Sequence, residues 1–220
     1  MELKSIQNRI PKELYEILEQ EITKLRPAQE KSVKKGLLDG KNLVVCTPTA
    51  SGKTLIAELA ALKSIIERRG KAIYIVPLKA LASEKFRDFR RRYGKIAKIA
   101  LSIGDIDSSD TYLAEYDLLV VTAEKMDSLL RHHAPWVSNI ATVVIDEIHL
   151  LNDPGRGPTL EILLTILKTL LKNAQFIGLS ATIGNPEELA QWLNADLVVD
   201  DWRPVKLHKG IYLDGKIEFY

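Results

Sequence analysis

The run Thr47-Pro48-Thr49-Ala50-Ser51-Gly52-Lys53-Thr54 constrains the fold more than any other stretch of the chain. An apolar segment, Leu43-Val44-Val45-Cys46, leads into it, and an apolar-periodic pattern from Leu55 to Ile66 leads out. A strand, a tight loop of small residues and a helix opening on Gly-Lys-Thr form the context that a phosphate-binding loop requires. Backbone N–H groups of the loop and of the helix N-terminus turn toward an anion. In that arrangement Thr49, Ala50, Ser51 and Gly52 cradle the phosphates and Lys53 reaches the outer two, while the Thr54 hydroxyl ligates Mg²⁺. One position departs from the usual pattern. The place five residues before Gly-Lys-Thr ordinarily holds glycine and here holds Thr47, which predicts a loop shaped differently from that of a kinase or small GTPase.

Around this loop, apolar strands alternate with helices. The patterning predicts helices over 11–22 and from Pro27 to near Gly36, with Asp39-Gly40 turning the chain into the first strand. Further strands are predicted at 72–76, 98–102, 118–122, 142–145, 175–179 and 197–199. Helices are predicted at 77–93, 123–131, 159–171 and 185–193, the last with Asn185 as N-cap. Near-continuous apolar strands separated by helices predict an α/β fold with a mainly parallel sheet and helices on both faces. Ligands of such sheets bind at the carboxyl ends of the strands. The phosphate loop, Asp146-Glu147 and Ser180-Ala181-Thr182 all fall at such ends, so they are expected to converge on one edge. Beyond Asp200 the pattern changes. Trp202-Arg203-Pro204 reads as a linker, and 205–212 reads as a strand.

Two carboxylates at a strand tip beside a phosphate loop suit metal-assisted phosphoryl transfer. Asp146 would hold Mg²⁺ and Glu147 would orient and deprotonate the attacking water. Adjacent strand residues face opposite ways, so the turn after Ile145 has to re-aim Glu147. A formal net charge of only +2 excludes a globally basic nucleic-acid binder, and any such contact must come from a local groove. The single cysteine, Cys46, excludes an internal disulfide and a cysteine-based zinc site. No apolar run approaches the ~20 residues of a membrane span, and the N-terminus lacks a secretory apolar core. These features fit a cytoplasmic protein.

An ordered set of motifs resembles superfamily 2 helicases of the DExH type: Gln29, Ala50-Ser51-Gly52-Lys53-Thr54, Pro77-Leu78-Lys79-Ala80-Leu81-Ala82, Thr122-Ala123-Glu124-Lys125, Asp146-Glu147-Ile148-His149 and Ser180-Ala181-Thr182. Gly104-Asp105, Arg156-Gly157-Pro158-Thr159, Gly184-Asn185-Pro186-Glu187 and Trp202-Arg203-Pro204-Val205 resemble its Ski-type branch, whose loop often lacks the first glycine. The resemblance covers nearly the whole chain. It implies a RecA-like P-loop NTPase lobe over residues 1–200, with 201–220 a linker into a second RecA-like lobe missing from these residues. It implies ATP and Mg²⁺ as cofactors, single-stranded or forked DNA as partner, a monomeric state and 3′-to-5′ unwinding that requires the second lobe. Gln29 would read the adenine edge. His149, Ser180 and Thr182 would couple nucleotide state to the strand-binding side. Pro77, Lys79, Gly104, Thr122 and Glu124 would line the single-strand groove. An RNA helicase of the same branch and a nucleotide-gated module without motor function stand as alternatives.

Without the resemblance, Gln29 reads as an exposed helix residue and His149 as a packed histidine. Adjacent His132 and His133 read as a solvated helix end. The basic run Arg87, Arg90, Arg91, Arg92, Lys95 and Lys98 reads as a solvated face, with DNA contact as the alternative.

Overall fold

The computed structural model describes residues 1–104, 110–206 and 208–219; Asp105 and Leu207 lie outside the described residues. In chain order the elements are α1 (Lys12–Leu18), α2 (Pro27–Lys34), β1 (Leu43–Cys46), α3 (Lys53–Ile66), β2 (Lys71–Val76), α4 (Lys79–Tyr93) and β3 (Ile99–Ser102). There follow β4 (Leu118–Thr122), α5 (Ala123–Arg131), β5 (Ile140–Ile145), α6 (Gly157–Leu170), β6 (Gln175–Ser180), α7 (Pro186–Leu193), β7 (Asp196–Val199), β8 (Gly210–Leu213) and β9 (Lys216–Phe219). Strands β1 to β7 form one sheet in the order β3-β4-β2-β5-β6-β1-β7, and every pair in it is parallel.

Alternation along each buried strand divides the core in two. Leu43, Val45, Ala72, Tyr74, Val76, Ile177 and Leu179 face a cluster built with α1 to α4. Val44, Cys46, Ile73, Ile75, Val143, Ile145 and Phe176 face a second cluster built with α5, α6 and α7. Both faces are covered, so the strands tolerate no polar side and read as apolar runs. All seven strands run the same way, which places their carboxyl ends on one edge. There β1, β6 and β5 lie side by side, and β2, β4 and β3 continue the edge.

The N-terminal expectation needs correction. The helix expected over 11–22 ends at Leu18, and a 3-10 helix over Leu3–Arg9 precedes it. The chain turns after Leu18 so that Lys24 pairs with Glu2; Leu3 N donates to Thr23 O at 3.0 Å and Leu25 N to Met1 O at 2.9 Å. Continuing α1 would break that pairing. Pro77 does not open α4, which begins two residues later behind an extended Leu78. Asn185 stands at the N-cap of α7 but makes no capping bond, because its Nδ2 donates to Glu188 Oε2 at 3.0 Å instead. The expected strand over 205–212 is replaced by an antiparallel hairpin, β8 with β9, turned by Asp214 and Gly215 at φ of 48° and 80°. Two successive left-handed residues make the primed turn that matches strand twist. His132 and His133 are exposed at the end of α5, as a solvated helix end predicts.

Candidate nucleotide site

The phosphate loop is stitched to the sheet at its start. Thr47 N donates to Ser180 O at the tip of β6 (3.2 Å), and the buried Thr47 hydroxyl lies 2.6 Å from Ser51 Oγ. The threonine that replaces the usual glycine therefore braces the loop internally. Ala50 and Gly52 both take left-handed backbone conformations, at φ of 65° and 93°. A Cβ on Gly52 would stand 2.5 Å from Gln29 Nε2, so glycine is required there for space as well as for φ. Thr49 and Ala50 are exposed at the rim.

Gln29 is buried, not exposed as the residues alone suggested. Its Oε1 accepts from Arg26 N (2.8 Å) and its Nε2 donates to Gly52 O (2.9 Å), tying the start of α2 to the loop. One amide N–H and one carbonyl lone pair remain for a further partner. Arg26 makes a second tie that the sequence reading missed. Its Nη1 donates to Ala50 O at 2.6 Å, and its guanidinium lies 5.5 Å from the Trp202 ring centre.

Lys53 folds back over the loop, its Nζ donating to Thr47 O (2.8 Å) and Pro48 O (3.2 Å). Burial pushes this ammonium below the usual lysine range, against the pull of Glu147 and Asp146. Asp146 continues β5; its N donates to Ile75 O, and its Oδ2 accepts from the buried Tyr74 hydroxyl at 2.9 Å. Burial beside Asp146 pushes the Tyr74 phenol well above its ordinary range, so it stays a donor. Glu147 sits at φ 52° and ψ 44°, the left-handed turn that re-aims its side chain as expected. A non-glycine residue held there is strained by about 1 kcal/mol or more, a pattern concentrated at functional sites. His149 Nδ1, otherwise without a hydrogen-bond partner, lies 3.4 Å from Glu147 Oε2.

The Thr54 hydroxyl and the Asp146 carboxylate approach the same point, the Nζ of Lys85 on α4, at 2.9 and 3.8 Å. Both are hard oxygen donors of the kind Mg²⁺ takes, so the residues fit that ion. Among the described residues no group of three or more His, Cys, Asp or Glu side chains could hold a metal alone. Mg²⁺ in phosphoryl-transfer sites takes few protein ligands and fills its shell with phosphate and water. A cleft of about 570 Å³ opens beside these groups, lined among others by Arg26, Gln29, Gly52, Thr54, Lys85 and Arg92.

The basic run is mostly exposed, as expected, but Arg92 is not part of a solvated face. Its Nη1 donates to both oxygens of the buried Glu58 (2.7 and 2.8 Å), Tyr93 Oη donates to the same carboxylate (2.8 Å), and Glu21 lies 3.2 Å away. Burial pushes the Glu58 carboxyl up, against the pull of Arg92 and Tyr93.

The remaining candidates follow the strand order. Pro77 and Thr122 stand at the ends of β2 and β4, and Gly104 lies just beyond β3. Lys79, the first residue of α4, and Glu124, the second of α5, are exposed. Thr122 is buried and caps α5, its Oγ1 accepting from Lys125 N at 3.4 Å. Ser180 is buried at the tip of β6, and Thr182 beyond it is exposed. The structure thus gathers Lys53, Thr54, Asp146 and Glu147 on one half of the edge and sets Pro77, Gly104 and Thr122 along the other.

No helix among the described residues is long and apolar enough to cross a membrane. The sequence is 56% identical over 205 residues to the ATP-dependent DNA helicase Hel308 of Methanocaldococcus jannaschii, which is 90% of this chain and 17% of that protein. It is 53% identical over 207 residues to the Pyrococcus abyssi protein of the same name, covering 94% of this chain and 28% of that one. For the Pyrococcus horikoshii protein the identity is 50% over 208 residues, 94% and 29%. The chain therefore spans less than a third of the length of these curated relatives. Residues 26–189, from Arg26 past the Asp146-Glu147 tip to α7, match the DEAD/DEAH box helicase family, and the chain belongs to it.

Proposed function

We propose that residues 1–200 form the first motor lobe of an ATP-dependent helicase that moves 3′ to 5′ on branched or forked DNA, and that 201–220 lead toward a second lobe. The observation that carries this is the convergence on one sheet edge of Lys53 and Thr54, which open the helix after β1, with Asp146 and Glu147, which follow β5 two strands away; Lys85 bridges Thr54 and Asp146, and a cleft opens at Thr54. The names of the similar proteins support the DNA substrate. Direction and forked substrate rest on the resemblance to the Ski-type branch.

In this reading the free N–H and carbonyl capacity of Gln29 pairs with the adenine edge. Thr49 to Gly52 surround the phosphates, and Lys53 swings from the Thr47 and Pro48 carbonyls to a β- or γ-phosphate oxygen. Thr54 and Asp146 would hold Mg²⁺, which when bound neutralises charge on the phosphate oxygens. Glu147 takes the proton of the attacking water. His149, beside Glu147, together with Ser180 and Thr182, passes the change to the half of the edge where Pro77, Lys79, Gly104, Thr122 and Glu124 meet the strand. Transition-state charge is completed by a cationic residue of the second lobe, a contribution of ~10³–10⁵ in related enzymes. The protein acts as a monomer in the cytoplasm.

The test is ATP turnover with and without single-stranded DNA or RNA, on these residues alone and joined to a second lobe. The proposal expects slow, unstimulated turnover from the 220 residues and strong DNA stimulation once the second lobe is present. Robust DNA-stimulated turnover by the 220 residues, or stimulation by RNA alone in the longer protein, contradicts it.

A further inference from the structure

We infer that Lys85 is a built-in substitute for the divalent cation: its ammonium holds the Thr54 hydroxyl and the Asp146 carboxylate, and it supplies positive charge to a bound diphosphate when no metal is present. The inference rests on the nucleotide-site reading above and adds a residue to it.

Lys85 comes from the second turn of α4, on a different element from the two groups it bridges. Its side chain is only 16% exposed, and its Nζ lies 5.8 Å from the centre of the Tyr74 ring, the same tyrosine that donates to Asp146. The bond geometry is unlike that of an ordinary structural ion pair. The hydrogen-bonded partner is a neutral hydroxyl, Thr54 Oγ1 at 2.9 Å, and the carboxylate stands off at 3.8 Å. Glu58, a buried carboxylate that lines the cleft together with Lys85, is already taken by Arg92 and Tyr93. An ammonium drawn out of water and aimed at a hydroxyl is costly unless the position itself favours positive charge. The two oxygens that define this position are those expected to ligate the cation. Because Lys85 belongs to α4, it can withdraw into the cleft without disturbing the loop or β5. Cation and lysine therefore compete for one place, and each preserves the orientation that the other needs.

The experiment is calorimetric titration of ADP into the 220-residue chain in excess Mg²⁺ and again in EDTA, for the wild type, Lys85→Met and Lys85→Arg. The wild type is expected to bind ADP under both conditions with a modest difference. Lys85→Met is expected to keep its affinity in Mg²⁺ and lose at least about tenfold in EDTA, since the metal-free diphosphate then meets no cation at that point. Lys85→Arg, which keeps the charge, should restore most of the EDTA affinity. Equal loss by Lys85→Met under both conditions, leaving the ratio unchanged, overturns the inference, as does a smaller ratio. Circular dichroism of each variant shows whether it folds, and Lys85→Gln replaces Lys85→Met if that variant does not. No ADP binding by the wild type under either condition overturns the nucleotide-site reading itself, a result distinct from an unchanged ratio.

Discussion

Arg92→Met isolates the buried Glu58 carboxylate. Glu58 is 5% exposed, and its partners are the two Arg92 bonds at 2.7 and 2.8 Å and the Tyr93 hydroxyl at 2.8 Å. Removing the cation leaves a desolvated charge with a single neutral donor, a change that costs about 3–5 kcal/mol at neutral pH. The loss should depend on pH. Burial already raises the Glu58 carboxyl above its unfolded value, so the folded state binds the proton more tightly than the unfolded chain does. Stability from such a group is greatest below the ordinary carboxylate range, near about 4.3, and falls as pH rises through the folded value. Without Arg92 the rise is larger, so the deficit of Arg92→Met relative to wild type should widen between pH 5 and 7.5. Urea unfolding at both pH values measures it. Glu58→Gln in the Arg92→Met background should recover much of the neutral-pH loss and flatten the pH dependence, because the buried charge is gone. A loss below about 1 kcal/mol that does not change with pH would refute the argument that this pair is buried and mutually required.

Other positions give further tests. Gly52→Ala adds a Cβ where Gln29 Nε2 stands 2.5 Å away and where φ is 93°, so it should destabilise by about 1–3 kcal/mol in thermal unfolding and weaken nucleotide binding. Tyr74→Phe removes the buried donor to Asp146 Oδ2 and should cost about 1–3 kcal/mol in the same assay, with tighter dependence of nucleotide binding on Mg²⁺. Glu147→Gln, in a protein joined to the second lobe, should keep ATP affinity in equilibrium binding and lower turnover by about 10²-fold or more.

The sheet was legible because its strands are covered on both faces: 118–122 and 123–131 coincide with β4 and α5, and the other strands differ only at their ends. The tail was misread because apolar content in 205–212 outweighed the Asp214-Gly215 turn, whose left-handed pair was the stronger signal. The spacing of Leu3, Ile6 and Ile10, all buried, was the available sign of the N-terminal 3-10 helix. In the site, the loop and the Asp-Glu tip were legible as local patterns. Tyr74, Lys85 and Arg26 were not, since each acts across the fold on a residue 72, 31 or 24 positions away. Gln29 reads as exposed from its helix alone, whereas its side chain is tied to Arg26 N and to Gly52 O, the latter 23 positions away. Arg92 was read with its basic neighbours because nothing local distinguishes an arginine that turns inward to Glu58.

The central claim is that the loop from Thr47 to Thr54 binds nucleotide. Calorimetric titration of ATP with Mg²⁺ into the 220-residue chain, wild type beside Lys53→Ala, tests it most directly. The account predicts measurable binding by the wild type and its loss in the variant, since Lys53 must leave the Thr47 and Pro48 carbonyls to meet the phosphates. Equal binding by both proteins, or none by a folded wild type, would contradict it.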